Sequence, residues 1–285
     1  MTVVAAEEGF DYMFVDGLPV VPAGAAQLRI GLQACDAAHG PTLLFIPGAY
    51  HGAWCYAGWL KTCRAAGIPC AALDYRGHGS LAGAGLAPDT GVEAYADDVV
   101  AAARSFSAPS VLVGHSLGGL VAMAAAMRTP LAGLALVAPS PPGNLAGARA
   151  LPAVDESQLR PVPARAEVLE RFLGGHDGPH VDACMARLCP ESPRALNQRY
   201  RLSVPIDARR IAVPALVIEA GLDCGERHPA GQDQAIADFL GGEFVQLAGA
   251  PHCMMLGPTS LPALAILLDW RARLGLQRAE VGWHR

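Results

Sequence analysis

Short, wholly apolar runs alternate along this chain with longer stretches whose apolar residues recur every three or four positions. The short runs read as strands buried on both faces, the longer stretches as amphipathic helices. Residues 42–46 (TLLFI) predict a strand, and 54–66 a helix stopped by Gly67. A strand at 70–73 and a helix at 91–106 follow, the helix announced by Thr90 and Glu93 as a capping box. The strand at 110–113 runs directly into GHSLGG and a small-residue helix that ends before Pro130, and another strand lies at 134–138. Two leading strands are expected near 11–15 and 27–33. The alternation predicts an α/β protein with a mostly parallel, doubly wound sheet.

From SPPGN at 140 to about residue 210 the pattern changes. No strand is evident there, and helical stretches fall near 155–173, 181–188 and 193–202. Strand and helix then resume at 214–221, 232–240, 243–247 and 261–273. A helical insertion of this length between two sheet strands reads as a lid (140–210) on a core formed by 1–139 and 211–285. Phe172, Leu173, Met185 and Leu188 are its expected contribution to a pocket. Its arginines, including Arg160, Arg171, Arg187 and Arg201, read as a solvated face.

Composition narrows the partners. With 285 residues, 52% hydrophobic and 16% charged, the chain can bury a large core by itself. A net charge of −5 with scattered basic residues argues against a nucleic-acid surface. No apolar run is long enough to span a membrane, and Glu7, Glu8 and Asp11 interrupt any export signal. The eight cysteines form no CxxC pair, so reduced thiols and a cytoplasmic location are expected, with no metal and no cofactor. Composition leaves the oligomeric state open.

The chemistry starts at Gly114-His115-Ser116-Leu117-Gly118, directly between a strand and a helix. This is the setting of a nucleophile elbow: the sharp turn forces the serine into a strained backbone conformation, and side chains at the flanking positions would collide with neighbouring backbone. A serine hydroxyl needs a base. His252, after the last strand, is the candidate. His115 is expected to project away from the serine, and His78 to lie in a turn; His39, His176, His180, His228 and His284 fall in loops, the insertion or the tail. Asp223, after the preceding strand, is the carboxylate expected to orient the imidazole, ahead of Glu219 and Glu226. The backbone N–H groups of Leu117 and of Ala49, in the turn Pro47-Gly48-Ala49, are expected to form an oxyanion hole. Tyr50, His51 and Trp54 are candidates for the pocket wall.

Together PGAYHGAW (47–54), DYRGHG (74–79), GHSLGG (114–119) and the loops of Asp223 and His252 resemble the α/β-hydrolase superfamily over about residues 27–273. The stretch 48–54 is similar to the oxyanion segment of the plant methylesterases and hydroxynitrile lyases. The resemblance implies the α/β-hydrolase fold and a serine esterase that cleaves a small to medium apolar ester, thioester or lactone through an acyl-enzyme. The same residues serve acyltransferases and cofactor-free perhydrolases, so transfer remains an alternative. Lyase chemistry is disfavoured, because Cys253 and Gly48 stand where those lyases have lysine and threonine. Relatives that open epoxides or carbon–halogen bonds carry aspartate at the elbow, where this chain has Ser116. A non-catalytic ligand receptor fits least, since every catalytic position is filled.

Overall fold

A computed structural model of the chain describes residues 11–34 and 40–281. Eight strands form one sheet: β1 (Val20–Ala23), β2 (Ala26–Leu32), β3 (Leu43–Ile46), β4 (Cys70–Asp74), β5 (Val111–His115), β6 (Gly133–Val137), β7 (Ala215–Ala220) and β8 (Glu243–Leu247). Their order is β1-β2-β4-β3-β5-β6-β7-β8. The β1–β2 and β2–β4 pairs are antiparallel, and every later pair is parallel. The mostly parallel doubly wound sheet expected from the apolar runs is therefore present.

Strand residues alternate between two cores. Leu43, Phe45, Ala72, Val111, Val113 and Ile218 pack with Trp59, Leu267 and Trp270, hence against helices α2 (Ala57–Ala65) and α9 (Ser260–Val281). Leu44, Ile46, Leu73, Leu112, Leu136 and Val217 pack on the other face with residues of α3 (Val92–Arg104), α4 (Leu117–Ala126) and α8 (Gln232–Leu240). All four residues of β3 are fully buried, which explains why its sequence shows no polar alternation. Pro22 sits in edge strand β1, where a missing ladder donor costs least.

Three expectations about local structure are corrected. Residues 11–15 are not a strand: Tyr12–Asp16 form helix α1, whose first turn is capped by the Asp11 carboxylate accepting from Phe14 N at 3.3 Å. Tyr12 and Val15, three apart, are its buried positions. The capping box at Thr90 and Glu93 does not form. Gly91 is the N-cap, and Thr90 Oγ1 instead accepts from Ala87 N. Within 155–173 only α5 (Arg165–Arg171) is helical, because Pro161 and Pro163 keep the preceding chain extended.

Between β6 and β7 lie α5, α6 (Pro179–Met185) and α7 (Pro193–Tyr200), with no strand of the sheet. The seven described cysteines are free thiols; Cys35, His39 and His284 fall outside the described residues. Among the described residues no helix is long and apolar enough to cross a membrane.

Candidate active site

Ser116 occupies the junction between β5 and α4 with φ 54° and ψ −123°. An L residue reaches this region only under constraint. Three hydrogen bonds hold it there: Ser116 N donates to Val137 O at 3.1 Å, and Ser116 O accepts from the N–H groups of Gly119 and Ser140, both at 2.9 Å. The flanking glycines are steric necessities. A Cβ on Gly118 would lie 2.3 Å from Pro47 O, and one on Gly114 would lie 2.5 Å from Gly118 O. Gly118→Ala is therefore expected to lower stability by about 3 kcal/mol or prevent folding. Gly249→Ala, where an added Cβ meets nothing within 4 Å, should stay within about 0.5 kcal/mol of wild type. Urea midpoints of the two variants measure the difference.

The loops after β7 and β8 bring Asp223 and His252 to this point. His252 Nε2 lies 2.9 Å from Ser116 Oγ, and its Nδ1 lies 2.5 Å from Asp223 Oδ2. Asp223 Oδ1 also accepts from Cys224 N at 2.7 Å. Burial opposes ionisation of Asp223. The imidazoles of His252 and His228 and the hydrogen bonds it accepts outweigh that, holding its pKa below the ordinary carboxylate value.

The N–H groups of Leu117 and Ala49 border the same cleft, and no acceptor among the described residues engages either one. The peptide that follows Ala49 is clamped at both ends. Its carbonyl accepts from His51 Nδ1 at 2.7 Å, and its N–H, that of Tyr50, donates to Glu191 Oε2 at 3.1 Å. Tyr50 has φ 68°, and its own carbonyl accepts from Cys189 N at 2.9 Å. Burial pushes the His51 pKa down to about 4, so this imidazole is neutral at physiological pH. Glu191 is itself buried. It also accepts from Tyr95 Oη at 2.5 Å and Ser192 N at 2.7 Å, and forms an ion pair with His78 Nε2 at 3.3 Å.

The cleft is narrow and opens to solvent. Tyr50 and His51 are in its wall. Trp54 is not: it is buried behind His51, stacked on that ring at 5.2 Å and edge-on to Tyr12 at 5.1 Å. His115, expected to point away from the serine, is buried beside His252, with Nε2 donating to the His252 carbonyl at 3.0 Å. His78 lies in a turn, as expected, its N–H donating to Tyr75 O at 3.0 Å, and is there the fully buried partner of Glu191. Of the insertion's expected pocket residues Phe172 lines the cleft, and its carbonyl accepts from Cys253 N at 2.9 Å. Its arginines divide. Arg187 and Arg201 pair with Asp16 and Glu156, whereas Arg171 lines the cleft and Arg160 an adjoining groove.

Sequence reasoning missed Glu191, Arg199 and His228. Glu191 and Tyr50 are 141 residues apart, and nothing local pairs them. Arg199 carried a usable signal: it falls on the same helical stripe as Ala195 and Leu196, where a charge is out of place. His228 and the Asp223–His252 pair form a cluster whose ligand atoms lie within 4.8 Å of one another, geometry that could hold a metal ion. Both His252 nitrogens are already committed, to Asp223 and to Ser116, so a metal there would compete with that chain of hydrogen bonds.

Serine, carboxylate and histidine, in that chain order at the strand ends of a mostly parallel sheet, define the class of α/β hydrolases. The alpha/beta hydrolase family model matches residues 43–262, and the chain belongs to that family. A search of curated protein sequences returned no significant match. Among solved structures the chain is similar to a methylesterase from Arabidopsis, with 18% identity, 81% of this chain and 99% of that one covered, and a TM-score of 0.66. Methylketone synthase I from tomato gives 17% identity, 82% and 98% coverage and a TM-score of 0.66. Polyneuridine aldehyde esterase gives 15%, 80% and 98%, and 0.65. At these identities the likeness is one of fold.

Proposed function

We propose that the protein is a carboxylesterase-like serine hydrolase acting on an ester, thioester or lactone of small to medium size. The observation that carries this reading is the continuous chain from Ser116 Oγ through His252 to Asp223, at 2.9 and 2.5 Å, beside two unengaged backbone N–H groups. Ser116 Oγ attacks the carbonyl carbon while its proton passes to His252 Nε2. Asp223 stabilises the imidazolium through Nδ1. The N–H groups of Leu117 and Ala49 receive the oxyanion, each contributing about 10²–10³ in rate. The leaving alcohol or thiol takes the proton from His252, and water activated by the same imidazole then releases the acid. Residues 140–210 act as the lid. They supply Leu151, Phe172, Leu196 and Tyr200 to the cleft wall, and these favour an apolar portion of the substrate.

The reading is tested by labelling with a fluorophosphonate probe beside a panel of esters, thioesters and lactones graded in chain length and leaving group. Covalent modification at Ser116 together with saturable hydrolysis of at least one class is expected. A protein that is folded by circular dichroism yet neither labelled nor active on any class would overturn it.

A further inference from the structure

The cleft beside Ser116 contains more positive charge than its chemistry requires. Arg171, Arg199 and Arg227 all line it, whereas the one carboxylate in its wall among the described residues is Asp223, already bound to His252. Arg199 is 5% exposed and projects from the buried stripe of α7. Its Nη1 donates to Arg149 O at 3.2 Å and its Nη2 to Arg227 O at 3.0 Å. Carbonyl oxygens satisfy donors but do not neutralise a cation, and no carboxylate pairs with this guanidinium among the described residues. Burial lowers its pKa to about 10, which still leaves it protonated at neutral pH. A cation withdrawn from water without a countercharge is costly, so its presence at a substrate cleft calls for an anion that arrives from outside.

The neighbouring cations extend the same field. Arg227 donates from Nη1 to Tyr200 Oη at 3.1 Å, and its guanidinium lies over the Tyr200 ring at 5.5 Å. Arg171 is paired with Glu167, but its Nε is buried with no hydrogen-bond partner. The adjoining groove adds Arg160, with Glu167 and the exposed Glu226 as its acids. Glu167 is thus committed to Arg171, and Glu226 lies at the outer surface.

Resting on the serine-hydrolase reading above and deepening it, we propose that the acyl compound taken by this site carries a carboxylate, received by Arg199. A planar carboxylate matches the guanidinium fork, and the aromatic and aliphatic wall accommodates a short carbon chain between that carboxylate and the carbonyl attacked by Ser116. The substrate is then a half-ester or related monoacyl derivative of a dicarboxylic acid, apolar in its middle and anionic at its end.

The test compares 4-nitrophenyl monoesters of dicarboxylic acids of graded length with 4-nitrophenyl esters of monocarboxylic acids of equal length. A second series places the carboxylate on the leaving alcohol. At one chain length wild type should favour the anionic over the neutral ester about ten- to a hundredfold in kcat/KM, and Arg199→Gln should abolish that ratio. Arg199→Lys should retain part of it. Arg201→Gln, outside the cleft and paired with Glu156, should leave it unchanged. The wild-type ratio is itself a test if Arg199→Gln does not fold. A ratio near one in the first series, whether or not the second shows a preference, or one unaltered in a folded Arg199→Gln variant, overturns the proposal, as does stronger preference for a matching terminal phosphate. Hydrolysis of neutral esters with probe labelling but without carboxylate preference refutes this inference alone. Absence of labelling and of all hydrolysis refutes the serine-hydrolase reading beneath it.

Discussion

Replacing Ser116 with alanine is expected to lower kcat by about 10⁴-fold or more, and replacing it with glycine to do the same while giving a protein about 1 kcal/mol more stable than the alanine variant. Both changes delete the hydroxyl 2.9 Å from His252 Nε2, so both remove the nucleophile. They differ in the backbone. At φ 54° and ψ −123° any Cβ is strained, and alanine keeps that strain. Glycine relieves about 1–3 kcal/mol of it and loses about 0.5–1 kcal/mol through the greater freedom of its unfolded chain. The hydrogen bonds that hold the turn, donated to Val137 O and accepted from Gly119 N and Ser140 N, are backbone bonds, and they survive in both variants. Urea unfolding of the two proteins, with turnover of the best ester from the panel, measures both effects. An alanine variant more stable than the glycine variant by about 0.5–1 kcal/mol would show that the elbow is unstrained; retained turnover would remove Ser116 from the mechanism.

The second large effect is expected at Glu191. Glu191→Ala should cost about 3–5 kcal/mol, because it leaves His78 buried without its countercharge and strips Tyr50 N, Ser192 N and Tyr95 Oη of their acceptor. Glu191→Gln keeps the volume and should cost about 1–3 kcal/mol. It should also lower kcat about tenfold with KM nearly unchanged, since the Ala49–Tyr50 peptide loses a charge-assisted hydrogen bond and the oxyanion donor beside it is held less firmly. A merely structural role would move stability and leave kcat alone.

The same pair predicts a pH dependence. Burial opposes the charge on both groups and is outweighed in each. His78 titrates above its ordinary 6.5 because of Glu191, and Glu191 below its ordinary 4.5 because of His78, Tyr95 and Ser192. A raised imidazole stabilises the fold fully below 6.5 and loses its contribution as pH rises through the raised value. A depressed carboxyl stabilises above 4.5 and loses its contribution as pH falls through the depressed value. The stability gap between wild type and Glu191→Gln should therefore be widest between about 4.5 and 6.5 and narrow on either side. Chemical denaturation across that range checks it, and a gap independent of pH would refute the ion pair.

Much of the architecture was legible because its causes are local. Strands β3 to β7 are nearly all buried on both faces and so leave continuous apolar runs that a helix-period segment then interrupts. The elbow was legible because the backbone it needs excludes side chains at Gly114 and Gly118 whatever the rest of the fold does. Local reasoning failed where two local solutions compete. The run YMFVD can be strand or helix, and Asp11 as a cap together with the docking of Tyr12 on Trp54 selects the helix. At Thr90 the side chain accepts from Ala87 N behind it instead of capping the helix ahead, whose N-cap is Gly91.

The amino-acid order alone settled which segments become strands β2 to β8, where the nucleophile turn falls and which serine, acid and histidine follow one another, since each depends on burial and backbone sterics within a few residues; it did not settle helix α1 or edge strand β1. Folding in three dimensions decided that the carboxylate of Glu191 clamps the peptide after Ala49, that His78 becomes its buried counterion, and that Arg199 faces the cleft without a balancing charge. Such contacts join residues a hundred or more positions apart, and their strength comes from exclusion of water, a property that no stretch of sequence has until the chain closes around it.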